Sequence, residues 1–423
     1  MKLYRHQRDA LRMSDGLDRV AYYHDMGLGK TFTGGEKLRQ LNAKINLIVC
    51  QKSKVQDWID HFDNYFDNIA VLDLTKKKQY EAFIDYAEIS TYAQVIGVIN
   101  YELVWRRRGI ADLHGFTLLL DESSLIQNEQ AKRSKFIMRL RYKNLILLSG
   151  TPTSGKYERL WSQLHMLGWN ISKELYWRQY VDVETTMIQG FPVKVVRGYK
   201  NVDRLKSKMR EYGCFFLKTN EVFDLPEQMV YEVDIRASAA YKRFRRDRIV
   251  KVDDVELIGD TILTKLLYER QLCGQYSQDK LNAFRDLAES TNDRLIVFYN
   301  FTCEMERMLD LISDMERPIS IINGETKDLY AYDHRDDSIT FVQYQAGAMG
   351  LNLQKANKII YFTPTLSSEL FEQSKKRIHR IGQDRLCFYY KLIVKGSVEE
   401  KIYETLDMRK DYTDELFREE ERY

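Results

Sequence analysis

Residues 24–31 read HDMGLGKT and lie between an apolar run, RVAYY (19–23), and a stretch of helical character. A strand, a glycine-rich turn and a helix N-terminus in that order are what a phosphate-binding loop requires. Gly27 and Gly29 let the backbone bend so that its N–H groups face phosphate oxygens. Lys30 reaches the β- and γ-phosphates as a point charge, and Thr31 offers a hydroxyl to Mg2+. The general pattern places a glycine where this chain has His24. DESS (121–124) closes a second apolar run, FTLLL. There Asp121 can hold Mg2+ through water, and Glu122 can orient and deprotonate an attacking water. LLSGTPT (147–153) ends a strand with Ser149 and Thr151 around Gly150, from which a γ-phosphate can be sensed. QAGAMGLNL (345–353) is a glycine-rich turn that would bring Gly350 and Asn352 near a nucleotide. EQSKKRIHRIGQ (372–383) carries Arg377 and Arg380 three apart, which on a helix puts them on one face. Two guanidinium groups so placed can reach a γ-phosphate as arginine fingers. Near the N-terminus, Gln7 can read an adenine edge with its amide while Tyr4 or Arg5 packs on the base. Singly, several of these strings read equally as turns or solvated faces. Together they call for ATP and Mg2+.

The elements that must position these groups follow from hydrophobic runs. Strand-like runs occur at 19–23, 45–50, 69–74, 95–100, 116–121 and 144–149, with longer amphipathic stretches between several of them. A second block begins near 293, with runs at 294–300, 319–323, 338–344, 358–362 and 387–394. Alternation of this kind predicts parallel sheets with covering helices. The middle, about 155–290, is rich in Trp, Tyr, Arg and Lys and has helical periodicity, with a Pro-marked connector at 223–235. Among 423 residues, 44% are hydrophobic and 30% charged, with a net charge of only +3, so a nucleic acid would need a local basic stripe. The five cysteines form no C-x-x-C pair, which points away from zinc sites and disulfide frameworks and toward a reducing compartment. No apolar run reaches the ~20 residues of a membrane span, and MKLYRHQRDA is no signal peptide. The expected setting is the cytoplasm, that of the host if the chain is phage-encoded.

The set of motifs and its order resemble the superfamily 2 helicase motor and, within it, the Swi/Snf-like family of double-stranded DNA translocases. The strings that carry the resemblance are DMGLGKT, KSKVQDW (52–58), INYEL (99–103), SGTP, AGAMGLNL and RIHRIGQ, with FLKTNEVFDLPEQ (216–228), LYERQLCG (267–274) and GSVEEKIYE (396–404) also family-like. The resemblance implies an α/β fold of two tandem RecA-like lobes, parallel β-sheets flanked by helices, with short helical insertions between them. The expected division is 1–222 for the first lobe, 223–290 for the connector and insertion, and 291–423 for the second lobe. ATP would lie between the lobes and double-stranded DNA across both. Backbone contacts would come from Lys52, Ser53, Lys54, Asn100 and Tyr101 in the first lobe, and from Asn300, Thr302, Thr326 and Lys327 in the second. Arg106–Arg108 and the run at 241–248 could extend that footprint.

The chain departs from the family at DESS, where a DEAH- or DEGH-like box is usual, and at Gln345, where Arg is common. Ser123 and Ser124 replace residues that couple the ATP site to the next motif. The short insertions and the absence of a targeting module resemble stand-alone motors of bacteriophages and prophages, acting as a monomer and recruited by a partner. Two other readings stay open: a fork- or junction-remodelling enzyme that separates strands, for which no pin hairpin is visible in the sequence, and a nucleotide-switched DNA clamp.

Overall fold

The computed structural model of the chain describes residues 2–89, 94–188, 191–347 and 351–417. They form two compact units: residues up to Val222 with the described residues from Asp411 on, and Phe223–Lys410. Each unit contains a seven-stranded sheet covered by helices.

In the first unit the strands are β1 (Arg19–His24), β2 (Ile45–Cys50), β3 (Ile69–Asp73), β4 (Gln94–Asn100), β5 (Thr117–Asp121) and β6 (Asn144–Leu148). An inserted pair follows, β7 (Val181–Ile188) and β8 (Phe191–Tyr199), and then β9 (Cys214–Leu217). The sheet order is β3-β4-β2-β5-β6-β1-β9 and every pairing is parallel. Both faces are buried, so the strands read as continuous apolar runs. Successive residues feed opposite cores: Leu47 and Val49 join Leu118 and Leu120 on one face, while Ile48 joins Leu119 and Ile146 on the other. Helices α1 (Arg5–Met13), α2 (Lys30–Leu41) and α3 (Val55–Tyr65) carry much of the chemistry described below.

The second unit holds β10 (Gln228–Ile235), the pair β11 (Ile249–Val252) and β12 (Val255–Ile258), β13 (Leu295–Tyr299), β14 (Ile319–Ile322) and β15 (Lys327–Asp328). It continues with β16 (Ile339–Gln343), β17 (Lys358–Tyr361) and β18 (Cys387–Val394). Its order is β10-β18-β17-β13-β16-β14-β15, parallel except where β15 turns back on β14.

Each apolar run singled out in the sequence forms a strand of one of these sheets. The middle of the chain differs from expectation in two ways. The segment 223–290 does not stand apart: β10 is an edge strand of the second sheet, and Leu281, Phe284 and Ala288 pack in one core with Leu295 and Val297. The inserted segments are not purely helical, because β7–β8 and β11–β12 are antiparallel hairpins. The β11–β12 turn places Asp253 (φ +48°) and Asp254 (φ +64°) in the left-handed region, the conformation that a type I′ two-residue hairpin turn needs at both central positions.

Candidate active site

Strand β1 ends at His24 and α2 begins at Lys30, so the intervening loop meets the end of a helix whose first N–H groups lack intrahelical partners. Gly27 (φ +87°) and Gly29 (φ +69°) occupy the left-handed region. A Cβ on Gly29 would lie 2.4 Å from Gln7 Nε2. Lys30 Nζ donates to the carbonyls of His24 (2.9 Å) and Asp25 (3.3 Å), neutral acceptors that a phosphate oxygen would outcompete. Gly150 preserves space there, since a Cβ would come 3.3 Å from that Nζ. Thr31 is half-buried at the start of α2. His24 is buried, and burial with Lys30 and His6 nearby lowers its imidazole pKa to about 3, so it packs as a neutral ring against Tyr22.

Gln7 lies against the loop. Its Nε2 donates to the carbonyls of Leu28 (3.3 Å) and Gly29 (3.2 Å), and its Oε1 accepts from Tyr4 N–H (2.9 Å). The amide is thus engaged with the loop, and reading adenine would require one of these bonds to be exchanged. Arg5 is solvated beside Asp9.

Asp121 and Glu122 stand at the end of β5, with β6 between β5 and β1. The Trp58 indole N–H donates to Asp121 Oδ2 at 2.9 Å. Burial raises the Asp121 pKa, and the Trp58 bond is the largest opposing effect, followed by Lys30. A carboxylate at the end of β5 that feels the Lys30 charge, with a threonine in the first turn of α2, is a donor set that fits Mg2+ carried in by phosphates. Glu122 has φ +55°, unusual for a side chain with a Cβ, and its Oε2 accepts from the Ser149 hydroxyl at 3.3 Å. Ser123 donates to Gln163 Oε1 at 2.7 Å. Trp58 and Gln163 are the site residues that sequence reasoning missed. The Trp in KSKVQDW was visible, but nothing in its spacing points to Asp121.

The expected nucleic-acid positions divide into exposed and committed ones. Lys52 and Ser53 are exposed in the turn between β2 and α3, and Lys54 pairs with Asp57 (2.6 Å). Thr302, Thr326 and Lys327 are exposed in the second unit. Tyr101 must be corrected: it is fully buried, and its hydroxyl donates to the carbonyls of Asp121 (3.0 Å) and Glu122 (3.3 Å), so it supports the acidic turn instead of a DNA strand. Asn100 is buried and its amide donates to Glu102 (2.8 Å). Asn300 is likewise spent, donating to the Thr363 hydroxyl (2.8 Å) and the Pro364 carbonyl (3.1 Å). Arg107 donates to the Leu74 and Thr75 carbonyls, which commits its guanidinium within the first unit, while Arg246 stays exposed beside Asp247.

Arg377 and Arg380 do not lie on a helix. The helix Ser368–Lys375 ends before them, because Ile378 turns into the core and Gly382 (φ +92°) reverses the chain. Gln383 holds that turn by donating to the Ala356 carbonyl (2.8 Å). Both guanidinium groups nevertheless converge on the Leu351 carbonyl, at 3.4 and 3.5 Å. Asn352 beside it is exposed, and Gly350 lies outside the described residues.

Comparison with known proteins matches residues 21–277 to the SNF2-related domain and residues 279–382 to the helicase conserved C-terminal domain. The chain is 22% identical to the SWI/SNF-related matrix-associated actin-dependent regulator of chromatin subfamily A member 1 of Mus musculus, over 91% of this chain and 40% of that protein. It is also 22% identical to the DNA repair and recombination protein RAD54 of Oryza sativa subsp. japonica, over 92% and 48%. It therefore spans less than half the length of these relatives. Among solved structures, the Sulfolobus solfataricus SWI2/SNF2 ATPase core in complex with dsDNA aligns over 98% of this chain and 92% of that one, at 19% identity and a TM-score of 0.46. The SNF2-related match alone covers more than half of the residues, and the chain belongs to the SNF2-related, Swi/Snf-like family of superfamily 2 helicases.

Proposed function

We propose that the chain is a DNA-stimulated ATPase that moves along double-stranded DNA. The observation that carries this reading is the convergence, in one parallel sheet, of a glycine loop closed by Lys30 with an Asp121–Glu122 pair two strands away. In this reading the loop N–H groups and Lys30 bind the β- and γ-phosphates, and Thr31 and Asp121 hold Mg2+, which neutralises phosphate charge when bound. Glu122 orients and deprotonates the attacking water. Arg377 and Arg380 act as arginine fingers on a γ-phosphate. Lys52, Ser53, Lys54, Thr302, Thr326 and Lys327 grip the backbone without reading sequence. We infer a setting in bacteriophage or prophage DNA metabolism from the DESS variant and the short insertions.

A second reading, strand separation at forks or junctions, gains support from the β11–β12 hairpin, whose Ile249, Val255 and Ile258 are exposed. The test is steady-state ATP hydrolysis with no nucleic acid, single-stranded DNA, duplex DNA, a forked or four-way junction, and RNA, using Lys30→Ala as the blank. Stimulation by plain duplex, abolished in Lys30→Ala, is expected. Preference for junctions or single strands would favour the second reading, and a flat response would refute the motor.

A further inference from the structure

Gln163, on the helix Trp161–Leu167, is completely buried. Its Oε1 accepts from the Tyr23 hydroxyl (3.0 Å) and the Ser123 hydroxyl (2.7 Å), while its Nε2 donates to the Pro152 carbonyl (2.9 Å). A carbonyl can only accept, so the amide orientation is fixed by Pro152 and both hydroxyls must donate. One side chain thereby joins three segments of the candidate site: the strand entering the phosphate loop, the residue after Glu122, and the turn after Ser149.

The Ser149 end of that same turn donates to the Glu122 carboxylate at 3.3 Å. The acidic turn is therefore held twice by residues 149–152, directly at Glu122 and through Gln163 at Ser123. Glu122 needs such support, because its left-handed backbone (φ +55°) is strained for a residue with a Cβ. We propose that Gln163 is a positioning residue that sets the Glu122 carboxylate for catalysis and transmits movement of the 149–152 turn to it. This takes over, in the DESS variant, the coupling that the two serines place in question. The inference rests on the ATPase reading above.

A single Gln163→Leu change would leave the buried Tyr23 and Ser123 hydroxyls without an acceptor and could act through stability alone. The decisive variant is Tyr23→Phe/Ser123→Ala/Gln163→Leu, which removes the hydroxyls along with the amide and leaves a packed apolar contact. Nucleotide affinity, the thermal midpoint and kcat are measured on the full chain. The expected result is a folded protein with unchanged MgADP affinity and a kcat lowered about tenfold or more. A kcat equal to wild type in the folded triple variant overturns the inference. If the triple variant does not fold, Ser123→Ala decides it. It removes the bond from the acidic turn to Gln163 while Tyr23 and Pro152 still hold the amide, so it must lower kcat without weakening MgADP, and an unchanged kcat overturns the inference. A wild type that hydrolyses no ATP overturns the motor reading as well, whereas an active wild type with an equally active triple variant overturns this inference alone.

Discussion

Replacing Trp58 by Phe should weaken the Mg2+-dependent part of nucleotide binding while leaving the fold intact. Trp58 is buried, stacks on Phe62 at 6.1 Å and donates its single N–H to Asp121. Phenylalanine keeps an aromatic ring in that place and loses the donor. A hydrogen bond to a charged group contributes about 1.5–3 kcal/mol, which is about 10- to 150-fold in an equilibrium constant. Losing the outer partner of a metal-holding group costs about 10- to 100-fold in metal affinity, the same range. Burial already raises the Asp121 pKa, and removing the strongest opposing effect raises it further, so the loss should grow toward acid pH. The assay is calorimetric binding of ADP with Mg2+ and with EDTA. The gain in affinity on adding Mg2+ should fall about tenfold or more, with ADP in EDTA unaffected. An unchanged Mg2+ gain in a variant of normal thermal midpoint would refute the role given to Trp58 and the placement of Mg2+ at Asp121.

Other perturbations test separate parts of the account. Gly29→Ala forces a Cβ against Gln7 at φ +69°, so it should cost about 1–2 kcal/mol in stability and weaken nucleotide binding, read by thermal unfolding and ADP titration. Lys280 and Glu399 form a fully buried pair at 2.6 Å, so Lys280→Met should destabilise by about 3–5 kcal/mol in urea, with Lys280→Met/Glu399→Leu recovering most of it. Burial raises the Glu304 pKa from 4.5 to about 7, so the folded state binds a proton that the unfolded state releases, and stability should fall as pH rises from about 4.5 to about 7. Glu304→Gln should flatten that slope in urea titrations across the window.

Much of the scaffold was legible because a sheet buried on both faces leaves long apolar runs, as at 45–50 and 144–149. The phosphate loop was legible because Gly27, Gly29 and Lys30 are neighbours in sequence. The hairpins were not, because 181–199 mixes Val and Thr with Asp, Glu, Lys and Arg on strands outside the main sheets, without the apolar runs that mark the buried strands. Tyr101 and Asn300 looked available for DNA because sequence order gives no account of what a side chain already holds. Gln163 and Trp58 stayed hidden for the complementary reason: their partners are remote in sequence and meet them only in the fold.

Displacement of a triplex-forming oligonucleotide from double-stranded DNA reports movement along an intact duplex. The expected result is ATP-dependent release of the third strand, absent in Lys30→Ala and without melting of the duplex. Failure to release it while a forked duplex is unwound would contradict translocation and leave strand separation as the activity.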